Sequence, residues 1–111
     1  MKSEAQVKRE ICDALTKLGI EWWRINSGAV RVRGGFSHGA KKGTADLLAS
    51  AYFDGYKDPS FLWIEVKKPD GVQSKEQCQF QLARSRNHHR YWLITSVGEL
   101  MNQIQAYGVR G

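Results

Sequence analysis

The sequence predicts an α/β (α+β) protein, a mixed β-sheet flanked by helices. Three observations lead there. Ser3, Ser74 and Ser96 are each followed three residues on by Gln or Glu (Gln6, Gln77, Glu99), the pattern of a capped helix start. Between these starts lie short strand-like runs closed by Gly, Pro, Asn and Asp turns. The order is one helix, three or four strands, a second helix, another strand and a last helix. Early strands of that kind pair antiparallel, and a helical crossover returns the last one parallel, so the sheet is mixed.

Each element has its own reason. Val7, Ile11, Ala14, Leu15 and Leu18 recur at helical spacing behind Ser3, and Gly19 ends that helix. Glu21 to Ile25 is a strand, and Asn26-Ser27-Gly28 reads as a turn. Ala29 to Phe36 is expected to be a short strand entering a glycine-rich loop through Gly34, Gly35, Gly39 and Gly43. Thr44 to Phe53 is a strand closed by Asp54-Gly55, and Phe61 to Lys67 one closed by Pro69-Asp70-Gly71. The Ser74 helix runs to about His88, Tyr91 to Thr95 is a strand, and the Ser96 helix ends at Gly108.

At 111 residues, with 41% hydrophobic and 11% aromatic residues, the chain is expected to form one domain, 1–111. Collagen-like, disordered and disulfide-scaffold classes are excluded. No apolar run approaches the ~18 residues of a membrane span. Met1-Lys2-Ser3-Glu4 leads into no apolar region, so no signal peptide is expected. Cys12 and Cys78 show no paired spacing and read as free thiols in a reducing, cytoplasmic compartment.

Lys and Arg number 17 against 11 acids, a formal charge of +6. Arg24, Arg31, Arg33, Lys41 and Lys42 lie between Glu21 and Asp46 without an intervening acid. Arg84, Arg86, His88, His89 and Arg90 do the same between Glu76 and Glu99. Such clustering suits a polyanion, of which a nucleic-acid backbone is the common case; a solvated basic face is the alternative.

The chemistry lies in two strands. Alternation sets Leu62, Ile64 and Val66 on one face of their strand, and Trp63, Glu65 and Lys67 on the other. A hairpin through Gly55 would bring Asp46 beside Glu65, so that both reach one hard cation with Lys67 alongside. That is equipment for metal-assisted phosphodiester hydrolysis. A buried Glu–Lys ion pair is the alternative.

The combination resembles a known family. Asp46 followed by Glu65-Val66-Lys67 looks like the core of the PD-(D/E)xK nucleases. Its surroundings are Trp23-Arg24-Ile25-Asn26-Ser27-Gly28, Lys42-Gly43-Thr44-Ala45-Asp46-Leu47-Leu48, and Gly71-Val72-Gln73-Ser74 with Gln77 and Phe80. Together they resemble the virus-type replication-repair nuclease (VRR-NUC) domain, from about Glu4 to about Leu100. The resemblance implies a restriction-endonuclease-like core of order αβββαβ plus a C-terminal helix. It implies Mg²⁺ or Mn²⁺ on Asp46, Glu65 and the Val66 carbonyl, Lys67 serving the attacking water, and Gln77 supporting the site. The family's usual proline before the Asp is Ala45 here, which alters backbone shape rather than coordination. Stand-alone members of this size resemble phage nucleases that act as homodimers on branched DNA, including four-way (Holliday) junctions.

Glu4 extends the site. At 100° per residue it falls in the middle of the apolar stripe of its helix, where an acid needs a cationic partner. Related nucleases place a first-helix glutamate at the active site, and Glu4 is expected there, within reach of Asp46 and Glu65. A frayed first turn reaching water is the alternative.

The expected DNA-contacting set is Arg24, Asn26, Ser27, Arg31, Arg33, Lys41, Lys42 and Lys68. Asn26 and Ser27 suit a position near the site or a self-bonded turn. The segment Gly28 to Gly43 suits a DNA-contacting loop or a plain hairpin, and it lacks the Gly-Lys-Ser/Thr of a P-loop, so no nucleotide cofactor is expected. The histidines lack zinc-ligand spacing. Trp22 and Trp23 point to opposite faces, one toward the core and the other toward an interface or a nucleobase. The expected activity is that of a metal-dependent, structure-selective DNA endonuclease. A duplex nicking enzyme or exonuclease, or a non-catalytic nucleic-acid-binding module, is the alternative.

Overall fold

The computed structural model describes residues 1–25, 29–38 and 40–111, with 29–32 and 35–38 described by their backbone alone. The elements in chain order are α1 (Glu4–Lys17), β1 (Glu21–Arg24), β2 (Ala29–Val32), β3 (Gly35–His38), β4 (Leu47–Ala51), β5 (Ser60–Val66), α2 (Lys75–Arg86), β6 (Arg90–Ile94) and α3 (Val97–Tyr107). The fold is the expected mixed α/β one. A four-stranded sheet has the order β1-β4-β5-β6. Its first two pairings are antiparallel, and β6 joins β5 in parallel after the α2 crossover.

Local chemistry accounts for the helix starts. Ser3 and Ser74 each accept a hydrogen bond from the third backbone N–H of the helix, and Gln6 and Gln77 reach back to complete the box. The third start differs in detail. Ser96 accepts from the Glu99 N–H, but the Glu99 carboxylate accepts from the N–H and hydroxyl of Thr95 instead of the cap residue. Gly108 closes α3 in the left-handed conformation.

The core lies between the sheet and two helices on one face. Val7, Ile11 and Leu15 of α1 and Leu100 and Ile104 of α3 join Leu47, Ala49, Leu62, Ile64, Val66 and Ile94 in one apolar cluster. Burying each large aliphatic contributes about 1.5–3 kcal/mol. Leu18 does not extend this stripe. It is the C-cap of α1 and is exposed, because the chain leaves the helix axis there toward β1. Cys12, outside the expected stripe, is buried instead. Both cysteines are free thiols.

The segment expected as a short strand entering a loop, or as a plain hairpin, is a hairpin of two strands. β2 and β3 form their own antiparallel pair outside the main sheet, reversing at Gly34 with φ +88°. Only a residue free to take that conformation permits so tight a turn. The strand expected over Thr44 to Phe53 is shorter, so Asp46 immediately precedes β4 instead of lying within it. No helix among the described residues is long and apolar enough to cross a membrane.

Candidate active site

The antiparallel register pairs Leu47 with Ile64, which sets Asp46 opposite Glu65 where β4 begins and β5 ends. Both carboxyls are withdrawn from solvent, Asp46 at 6% and Glu65 at 1% exposure. Asp46 is held twice. One oxygen accepts from the Val66 N–H at 2.8 Å, and the other meets Lys8 Nζ at 2.9 Å. Glu65 Oε2 accepts from Gln77 Nε2 at 3.2 Å. Its Oε1 is buried with no hydrogen-bond partner.

This arrangement is electrostatically tense. Burial, then the neighbouring Asp46 carboxylate, pushes the Glu65 carboxyl up to about 9, against a smaller opposing pull from Lys67. Glu4 adds to the upward push. A divalent cation at this place would hold both carboxyls ionised. The unpaired Oε1 is the acceptor such an ion takes up, and hard cations select oxygen ligands of this type. Among the described residues no cluster of three or more Asp, Glu, His or Cys offers a complete cage. Two carboxylates suffice for an ion that takes its remaining oxygens from backbone, water and a phosphate substrate, as Mg²⁺ commonly does.

No protein-family model, curated protein or solved structure matches this chain. Its own residues therefore carry the functional reading.

The helices complete the site from both sides of the sheet. Helix α1 runs beneath it and brings its N-terminal turn to the carboxylate end. Glu4 Oε1 lies 3.9 Å from Lys67 Nζ, and Lys8, one turn on, reaches Asp46. Lys67 thus faces Glu4, and its side chain retains only 14% exposure. On the opposite face, Gln77 and Phe80 of α2 point at the sheet. Phe80 meets the Trp63 ring edge-on at 5.2 Å and the Tyr91 ring at 6.1 Å. Gln73 donates to the Tyr91 hydroxyl at 3.1 Å. Burial, with the Glu65 charge second, raises the Tyr91 phenol above its ordinary value.

Gly43 sets how closely these parts approach. Its φ is +89°, and a Cβ there would lie 2.5 Å from backbone atoms of Glu76 in the first turn of α2. The missing side chain lets the chain leading into Asp46 press against the helix that carries Gln77.

The basic residues are more dispersed than the carboxylates. Lys42 pairs loosely with Glu76 at 3.6 Å and Lys68 with Asp70 at 3.7 Å, both lysines largely exposed. Arg33 and Lys41 are exposed, and Arg24 lies 6.0 Å from the Trp22 ring centre. Asn26 and Ser27 fall outside the described residues, as does the side chain of Arg31. Lys8 was missed by the sequence reading. Its signal was present, because it stands one helical turn beyond Glu4, but a lysine in a helix ordinarily reads as a solvent residue.

Proposed function

We propose that the protein is a metal-dependent nuclease that hydrolyses phosphodiester bonds in DNA. The observation that carries the reading is the buried Asp46–Glu65 pair, with an unpaired carboxylate oxygen and a shielded lysine beside it. The Lys8–Asp46 ion pair answers one of the two carboxyls, and among the described residues no salt bridge reaches Glu65. Lys67 faces Glu4 across 3.9 Å, whereas Glu65 faces a second acid. A carboxyl buried beside a second acid, as Glu65 is, is costly unless something cationic joins it.

In this reading Asp46, Glu65 and the Val66 carbonyl would hold Mg²⁺ or Mn²⁺, which when bound would supply an acidified water and offset charge on the phosphate. The Val66 N–H fixes the Asp46 carboxylate, so the acceptor does not have to reorganise when charge arrives. Gln77 orients Glu65 by donating to Oε2, which leaves Oε1 for the cation it would hold. Lys67 places an ammonium where it orients the attacking water or meets charge developing on a non-bridging oxygen. Glu4 keeps that ammonium in position. The exposed Arg33, Lys41, Lys42 and Lys68, with Arg24, supply phosphate contacts along the approach, and the net charge of +6 favours them. The resemblance to the virus-type replication-repair nuclease domain points to branched DNA, four-way junctions included, as the preferred substrate, cut by a homodimer.

The test is cleavage of a supercoiled plasmid and a synthetic four-way junction. Cutting is expected with Mg²⁺ or Mn²⁺, none with excess EDTA, and binding without cutting in Ca²⁺. Lys67→Ala is expected to bind metal and DNA and to lose turnover. Robust cleavage in EDTA would exclude the metal-dependent mechanism. A Lys67→Ala enzyme within about threefold of wild type would make this lysine structural.

A further inference from the structure

A groove of about 550 Å³ opens on the sheet face that carries Glu65, lined by Leu48, Trp63, Phe61, Tyr56 and, at its far end, His88, His89 and Arg90. Its floor continues the catalytic pair. Leu48 pairs with Trp63 in the register and stands two residues from Asp46 and Glu65, a step of about 7 Å along the strands. Trp23 is the next neighbour across the sheet, paired with Leu48, and its ring lies 6.4 Å from that of Phe61. These two aromatic side chains stand in water, Trp23 at 41% and Phe61 at 61% exposure. Nothing in the core requires them there, since α2 covers only the Trp63 side through Phe80.

We propose that this groove binds the unstacked bases of a single-stranded stretch of the nucleic acid whose phosphodiester lies at Asp46 and Glu65. The inference rests on the nuclease reading and deepens it. Exposed aromatic faces stack on any base. The far end carries two imidazoles and a guanidinium, and among the described residues no carboxylate lines the groove, so it accepts a phosphate backbone. A chain laid along β5 from that end reaches the carboxylates after passing Phe61 and Trp63. A second copy of the protein fits less well. A two-fold axis running along the groove would set Arg90, His88 and His89 against their own copies, and an axis across it would set them against the apolar end of the partner copy's groove.

The experiment compares wild type with Trp23→Ala, Phe61→Ala and the double variant, in EDTA or Ca²⁺ so that nothing is cut. Fluorescence anisotropy is read with a labelled single-stranded oligonucleotide, a flap or junction carrying unpaired bases, and a blunt duplex. The expected result is a loss of about tenfold or more in affinity for the first two with the double variant. Blunt-duplex affinity is expected within threefold and melting temperature unchanged. Equal losses on all three DNAs, or no loss on any, would overturn the inference. So would sedimentation showing that the variants convert a dimer into a monomer, which would give the face to a second copy. Metal-dependent cleavage by wild type is scored separately. If it is present while the variants bind normally, the groove fails and the nuclease stands. If it is absent while single-strand binding is lost, the groove stands and the nuclease fails.

Discussion

Glu65 brings one consequence that does not depend on DNA. Its carboxyl is raised to about 9 from the ordinary 4.5, so the folded protein holds a proton that the unfolded chain releases far earlier. The sign follows from linkage. The stabilising proton is fully present below about pH 4.5, and its contribution is lost as pH rises toward about 9. Metal-free protein is therefore expected to lose stability across that window, at no more than about 1.4 kcal/mol per pH unit. Denaturant unfolding in EDTA at a series of pH values measures the slope. Glu65→Gln, which cannot ionise, should flatten it, and saturating Mn²⁺ should flatten it by favouring the carboxylate. An unchanged slope in Glu65→Gln would assign the titration elsewhere. On α1 the two charged partners of the site should behave oppositely. Lys8 would compete with the proposed divalent cation for Asp46, so Lys8→Gln is expected to tighten Mn²⁺ binding several-fold by calorimetry. Glu4 serves Lys67, so Glu4→Gln should leave Mn²⁺ binding and stability nearly intact while lowering cleavage more than tenfold.

At the scale of elements, the apolar helices and the site-facing helix obey different rules. Helix α1 buries a periodic stripe, and that stripe was readable as spacing. Helix α2 buries none of its residues fully, because the face it turns to the sheet is built from Gln77, Phe80, Gln81 and Arg84. Those residues stand at helical spacing but are mostly polar, since they line a polar site, so periodicity is silent about which side faces in. Its start was legible only through the capping box at Ser74 and Gln77. Gly43 couples this helix to the strand end. Gly43→Ala would force a strained φ and a Cβ into the Glu76 backbone, at about 1–3 kcal/mol or more. Thermal unfolding should register that loss. Cleavage by the surviving folded fraction should also fall, because Gln77 would withdraw from Glu65.

For the whole molecule, the described residues of one chain carry one buried carboxylate pair, while the proposed resolution of a four-way junction would take two symmetric cuts. A closed two-fold dimer is the economical solution. A homodimer of twice 12.6 kDa is therefore expected at micromolar concentration, read by light scattering with and without DNA. Monomer under both conditions would remove junction resolution and leave a simple nicking enzyme.

The fold class, the three helix starts and the alternation of β5 were legible because each is local: a cap bonds three residues away, and a strand turns its side chains over every second residue. The adjacency of Asp46 and Glu65 was legible too, since a short connection between antiparallel strands leaves few registers. The chain left the hairpin of Ala29–Val32 and Gly35–His38 as one of two readings, and it did not reveal that this pair stands apart from the main sheet or that Leu18 leaves the stripe. Nor did it reveal that Lys8 rather than Lys67 meets Asp46, that Gly43 must clear α2, or that Trp23 and Phe61 share one open face with the site. These depend on how separate elements cross. Crossing is decided by the packing of the whole core, which aims a side chain several ångströms from its backbone at partners far away in sequence.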